Sequence, residues 1–334
     1  MAAAAEILTI DPATYVSHSL HHADRAWPET NCYVDLWVEL LHALQLNPVA
    51  SFAFTLAMDF EGDQWTFFKP SLADLYTLYG IDVQELTIWR PVATHVLEQI
   101  TLGRPVLVEV DSFFLPDTQG VAYRQEHTKT TIAAQAIDPE TRTLGYFHNA
   151  GYFRLGGDDF DGIFCRSSYA GKEHGTDTVR LAPYTEIAKL DHIVRRTPSE
   201  LRTLARTLAH IHAARRPHVN PVSRYKRRFP DDIVWLSGED IATFHQYAFA
   251  TLRQCGACAE LAGSFLRWLE PDDAPELQLA LAAFETIATN AKALQFKVAR
   301  AVNTHKPIDC NPLFDAMEAA WETAMHYVAR RYGG

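Results

Sequence analysis

The chain has 334 residues, enough for two domains or one large one. Hydrophobic residues make up 48% and charged residues 21%, an ordinary globular composition that excludes disorder and collagen-like repeats. The 41 acidic against 30 basic side chains give a formal charge of −11, which repels phosphate backbones and argues against nucleic acid as a partner. No apolar run approaches the roughly 18 residues that a membrane span needs, so no membrane partner is expected. Residues 1–6 carry no basic n-region of a signal peptide. Five cysteines, odd in number and unevenly spaced, fit reduced thiols in a cytoplasm better than a disulfide framework.

Thr30 and Asn31 are both plausible N-caps for a strongly apolar helix over residues 33–46, in which Asp35, Glu39 and His42 form one narrow polar stripe. Asn47-Pro48 stops it, and a second apolar helix is expected over 48–58. Residues 62–70 read as a loop. A short helix runs from Ser71 to Gly80, and an amphipathic one over 91–102 ends at Gly103. Strands follow over 105–115, 128–137 and 143–147, the last two forming a hairpin around Asp138-Pro139-Glu140-Thr141. Weaker strand signals lie at 152–155, 162–165 and 178–181. Helices followed by a strand meander make an α+β pattern. From Pro198 onward the signals are amphipathic helices over 199–215, 237–269, 275–305 and 312–331, with the second and third long enough to break once each. Residues 215–230, with three prolines and five arginines, read as a loop or linker. The expected division is an α+β domain over 1–195 and an all-α helical bundle of about four helices over 196–334.

Cys32 is the most suggestive single residue. At the start of a helix it meets unpaired N–H groups and a positive dipole end, which favour a thiolate. A thiolate nucleophile needs a base, and His127 stands just before a strand. His148-Asn149 follows on the return strand, where an Asn can orient the base. Cys, then His, then Asn is the order of cysteine nucleophiles. His148 competes with His127 for the base role. The bland alternatives are an inert packed thiol at Cys32 and an ordinary hydrogen-bonded histidine at 127.

Other clusters are weaker. His18, His21 and His22 have metal-ligand spacing, but no motif completes a site, so no metal and no cofactor are expected. Cys255 and Cys258 form a CxxC inside a helical pattern, where two packed thiols are the simpler reading. Asp59, Glu61 and Asp63 alternate without the rest of a calcium loop. Gln64, Trp65 and Lys69 on one loop suggest substrate binding, and the Gln64 amide suits an oxyanion; an anchoring loop with its aromatics in the core is the alternative. Arg224, Lys226, Arg227 and Arg228 form the one dense basic run.

Three stretches, Asn31-Cys32-Tyr33-Val34-Asp35-Leu36-Trp37, Asp59-Phe60-Glu61-Gly62-Asp63-Gln64-Trp65-Thr66-Phe67-Phe68-Lys69 and Glu126-His127-Thr128-Lys129-Thr130, resemble a bacterial domain-of-unknown-function family over nearly the whole chain. More remotely, the first 195 residues resemble the papain-like cysteine fold as used by the butirosin-biosynthesis acyltransferase, which moves an aminoacyl group from a carrier-protein thioester to an amine. That resemblance implies Cys32 as nucleophile, His127 as general base and Asn149 as the residue that orients it. Papain-like enzymes commonly carry a Gln a few residues before the Cys; here residues 25–31 have none, and Asn31 or Gln64 would have to substitute. The expected activity is therefore transfer of an acyl or aminoacyl group from a thioester to an amine. The expected donor is an acyl thioester, either free or borne by an acyl carrier protein docked against the 224–228 run, and the expected acceptor a small-molecule amine. The alternatives are a cysteine peptidase or amidase, and a non-catalytic binding protein on the same fold.

Overall fold

The computed structural model describes residues 4–164, 182–272 and 274–333. Two compact units are present, one made of Met1–Ser19, Asn31–Leu46 and Leu75–Arg195, the other of Leu20–Thr30, Asn47–Asp74 and Arg196–Gly334. Among the described residues the architecture is α+β, with one antiparallel sheet, helices α1 (Cys32–Ala43) and α2 (Leu72–Tyr79) ahead of most of its strands, and a helical C-terminal region.

The sheet belongs to the first unit. Its strands are β1 (Ala5–Glu6), β2 (Asp82–Glu85), β3 (Val106–Asp111), β4 (Lys129–Asp138), β5 (Thr143–His148), β6 (Gly151–Gly156) and β7 (Thr185–Lys189). They run in the order β2-β7-β3-β4-β5-β6, with β1 on the far end of β4. Every pairing is antiparallel. The β4–β5 hairpin turns where expected, because the Asp138 carboxylate accepts from the backbone N–H groups of Glu140 and Thr141. A bulge at Gln135 interrupts the register between β4 and β5. The freed side chain binds Leu8 through both its backbone N–H and its carbonyl, and donates to the Tyr152 hydroxyl at 2.5 Å.

Side-chain alternation gives the sheet two faces. Val106, Val108, Val110, Ile132, Ala134, Leu144, Tyr146 and Ile187 pack with α3 (Val92–Thr101) and α4 (Asp158–Ile163). The opposite face carries Leu107, Glu109, Asp111, Thr131, Ala133, Phe147 and Glu186, and α1 (Cys32–Ala43) covers it. Tyr15 is wedged there between Phe147, Tyr152 and α1, its hydroxyl 2.5 Å from Glu39. The polar stripe of α1 is thus an internal seam: Asp35 and Glu39 are buried and His42 half-buried.

The second unit holds α5 (Pro198–Ala213), α6 (Pro221–Leu236), α7 (Ile241–Ala248), α8 (Gln254–Leu269), α9 (Pro275–Thr304) and α10 (Asn311–Tyr332). Residues 48–57 also belong to it, wound as a 3₁₀ helix rather than an α-helix, with Ser51 and Thr55 hydroxyls bonded to the carbonyls three residues back. Helix α6 replaces the expected loop. Asn220 caps it, Pro221 sits harmlessly at its first position, and Val222, Tyr225, Phe229, Asp232 and Leu236 form its buried face; Pro230 lies inside it. A π turn at Phe249–Arg253 separates α7 from α8, whereas α9 runs unbroken for 30 residues.

Two edge-side strands, β2 and β7, escape the sequence patterns because they are short and carry charges. The strand expected at 162–165 is instead the end of α4 as far as Phe164, whose first-turn carboxylates Asp158, Asp159 and Asp161 suit a helix N-terminus. Cys165 and residues 178–181 lie outside the described residues. No helix among the described residues is long and apolar enough to cross a membrane.

Candidate active site

Cys32 is the first residue of α1. Asn31 before it has an extended backbone (φ −142°, ψ 156°); its side chain accepts from Val34 N–H at 3.0 Å and its carbonyl from Asp35 N–H at 3.0 Å. Asn31 is therefore the N-cap, and Cys32 stands where backbone N–H groups precede the intrahelical ladder. Cys32 is half-buried, whereas Cys255, Cys258 and Cys310 are buried. Burial pushes all three of those thiols up, which keeps them protonated at neutral pH. Among the described cysteines, Cys32 is the one that solvent reaches.

Tyr33 fixes this end of α1 on the sheet. Its hydroxyl donates to Glu186 of β7 at 2.8 Å, and Tyr184 donates to the other carboxylate oxygen at 2.9 Å. Burial, with Glu186 adding to it, raises both phenols, Tyr184 to about 12. Glu186 lies opposite Leu107 of β3, on the α1 face.

His127 stands just before β4. Its Nδ1 is 2.6 Å from Oδ2 of Asp111, the last residue of β3, and its ring stacks on Phe113 with centroids 4.3 Å apart. The other Asp111 oxygen accepts from Phe113 N–H, so the carboxylate is held by its own loop. Lys129 and Glu109 form the next pair along these strands, at 2.9 Å. Because a carboxylate holds Nδ1, the proton of the neutral ring sits there and Nε2 carries the lone pair. The His127 side chain is 69% exposed. By strand alternation Asp111 shares the α1 face with Glu109 and Glu186, and the starts of β4 and β7 and the end of β3 lie at one end of the sheet. Asp111 and His127 thus meet at one end of the sheet, and Cys32 starts the helix that covers the face on which Asp111 lies.

His148 is turned the other way. It lies with Tyr146 on the α3–α4 face, fully buried, Nδ1 2.5 Å from Asp117 and Nε2 2.8 Å from the Thr130 hydroxyl. Tyr146 donates to the second Asp117 oxygen at 2.6 Å. Both ring nitrogens are engaged, which suits a buried pin that ties the β3–β4 loop to the sheet. Asn149 occupies the two-residue turn between β5 and β6, at φ 44°, a left-handed backbone that Asn tolerates well. The position beside the His127 ring that the sequence reading gives to Asn149 is taken by Asp111. No cue in the sequence singled out Asp111. The signal was the antiparallel register itself, which sets Asp111 opposite Lys129, two residues from His127.

Gln64, Trp65 and Lys69 belong to the second unit. Trp65 is buried against Phe60 and Tyr225, and its backbone N–H donates to the Ala250 carbonyl, so the loop is anchored at Trp65 while Gln64 and Lys69 are exposed. Asp59 pairs with Arg224, and Glu61 accepts from the Thr66 hydroxyl. Among the described residues no group of three or more His, Cys, Asp and Glu is arranged to hold a metal ion.

Residues 16–190 match the DUF1839 N-terminal domain and residues 198–330 the DUF1839 C-terminal domain. The chain belongs to the DUF1839 family. No curated protein matches it. Cys32, Asp111, His127 and His148 all fall in the stretch matched by the DUF1839 N-terminal domain, and Trp268 and Glu270 in that matched by the DUF1839 C-terminal domain.

Proposed function

We propose that this chain is a cysteine-dependent acyltransferase on a papain-like arrangement, with Cys32 as nucleophile, His127 as general base and Asp111, in place of Asn149, as the group that orients the imidazole. The observation that carries this reading is the 2.6 Å contact between His127 Nδ1 and Asp111, on the sheet face that α1 covers. It prepares Nε2 to take a proton, as the base of a nucleophile–base–carboxylate triad must.

In the first half-reaction His127 Nε2 takes the Cys32 thiol proton, and Sγ attacks the carbonyl carbon of an acyl thioester. The oxyanion is met by the N–H groups at the start of α1. The bond to the donor sulfur then breaks, and that sulfur leaves with the proton from His127. In the second half-reaction an amine attacks the Cys32 acyl-enzyme, His127 takes the amine proton, and the Cys32 thiol is released with that proton.

Hydrolysis of an amide or thioester has one observation on its side: with His127 69% and Asp111 34% exposed, water reaches the base. Water then replaces the amine in the second half-reaction.

The test is intact-protein mass after brief exposure to acyl and aminoacyl thioesters, comparing wild type, Cys32→Ala and His127→Ala. An acyl adduct on wild type, absent from Cys32→Ala and slowed in His127→Ala, is expected. Release of the adduct by added amine marks transfer, and release by water alone marks hydrolysis. No adduct, together with alkylation of Cys32 no faster than a free thiol, would overturn the reading in favour of a non-catalytic binding protein.

A further inference from the structure

Within the second unit, Leu20–Thr30 packs with α8 and α9 around a cleft of about 710 Å³. Its size falls in the range of small-molecule sites, and such sites occur between helices of bundles. The cleft is open because small residues, Ala259, Gly263 and Ala288, line it where larger ones would fill it. Leu20, Val49, Leu281 and the Trp268 indole supply apolar wall.

The polar lining carries both signs of charge. Arg25 is held in place by Ser264 at 3.3 Å and 3.4 Å and by Glu260 at 3.5 Å. Glu260 is committed in turn to the backbone N–H groups of Ala26 and Trp27, at 3.0 Å and 2.9 Å. The Arg25 contacts are long, so its terminal nitrogens, on the cleft lining, keep donors for a ligand oxygen. Arg267 adds a second guanidinium to the lining, and Asp24 and Glu285 add carboxylates. With three acids against two arginines, the lining disfavours a simple anion and favours a ligand with both charges.

We propose that this cleft binds a zwitterionic α-amino acid with an apolar or aromatic side chain. Its carboxylate faces Arg25 and Arg267, its ammonium faces Asp24 and Glu285, and its side chain lies on Trp268 and Leu281. The proposal does not depend on Cys32.

Gly263→Leu is the decisive variant. A Cβ at Gly263, on the cleft lining, meets Phe284 Cβ at 3.5 Å, ordinary van der Waals contact, so the first carbon of a side chain fits there. Leu also favours the interior of α8 over Gly, and the melting temperature shows whether the longer side chain is accommodated. The probes are L-phenylalanine and L-leucine, with 3-phenylpropanoate and 2-phenylethylamine lacking the ammonium and the carboxylate respectively. Binding is read by calorimetry and by tryptophan fluorescence. Saturable binding of at least one amino acid is expected, with the two truncated probes each about tenfold weaker or more, about 1.4 kcal/mol. Gly263→Leu should abolish binding and Arg267→Ala weaken it by a similar factor. Absence of saturable binding, equal binding of a truncated probe, or unchanged binding by folded Gly263→Leu would each overturn the proposal.

Discussion

Asp111 holds Nδ1 of His127 at 2.6 Å from the adjacent strand, which leaves Nε2 as the basic nitrogen of an exposed ring. An Asn at 111 keeps the shape but offers an N–H or a neutral carbonyl where a carboxylate stood. The ring can then flip its tautomer, and an imidazolium loses its stabilising charge. If Cys32 and His127 act together, Asp111→Asn should slow Cys32 acylation by about a hundredfold or more while leaving the melting temperature close to wild type. Stopped-flow alkylation and acylation across pH measure this. An unchanged rate profile would remove Asp111 from the mechanism.

The two histidine–carboxylate pairs at this end of the sheet should separate cleanly in mutagenesis. His127 and Asp111 are exposed, and such a pair contributes about 0–1 kcal/mol to stability. His148 and Asp117 are buried, at 2% and 3% side-chain exposure, and Asp117 also receives Tyr146. Removing one partner of a buried pair strands the other. Asp117→Ala should therefore cost about 3 kcal/mol by urea denaturation, and His127→Ala less than about 1 kcal/mol. Adduct formation should show the reverse ranking, once Asp117→Ala is assayed below its unfolding midpoint.

Much of this layout is legible in the sequence. The helix start at Cys32, the β4–β5 hairpin and the helical C-terminal part follow from a cap, a turn and a repeating apolar face. What escaped was non-local. Asp111 and His127 are 16 residues apart, and only strand pairing makes them neighbours. Asn149 looked like a strand residue, but the tight β5–β6 turn claims its left-handed backbone. Helix α6 was hidden by prolines that sit at position 221, where they cost little, and at 230, where the buried face around Tyr225 and Phe229 overrides the missing N–H.

His95 gives the fold a specific acid sensitivity. Burial first, then the charge of Arg90, holds its imidazole below the ordinary value, and its Nε2 lies 3.4 Å from the Trp89 N–H. The unfolded chain binds this proton more readily than the folded one. The stabilising contribution is thus fully present above the unfolded value of about 6.5 and is lost as pH falls through the lower folded value. Wild type should lose more stability than His95→Gln between about pH 7.5 and 5.5, measured as the difference in melting temperature. Parallel pH dependences for the two proteins would refute the assignment.

The basic run in α6 offers the remaining test, and it bears on partner docking. Arg224 pairs with Asp59, Lys226 with Asp315 and Glu318, and Arg228 with Asp232. Three of the four charges are therefore answered by carboxylates of the same unit, and the two acids around Lys226 raise its pKa. A docking surface for an acidic carrier protein would present such charges unpaired. Charge reversal at Lys226 puts a third carboxylate beside Asp315 and Glu318, and should cost about 1–2 kcal/mol of stability through like-charge repulsion. Arg227→Glu should leave stability within about 0.5 kcal/mol of wild type. If Arg227→Glu instead slows acyl transfer from a carrier-protein thioester but not from a small thioester, docking on this helix regains its ground; equal rates with both donors would leave α6 a structural element.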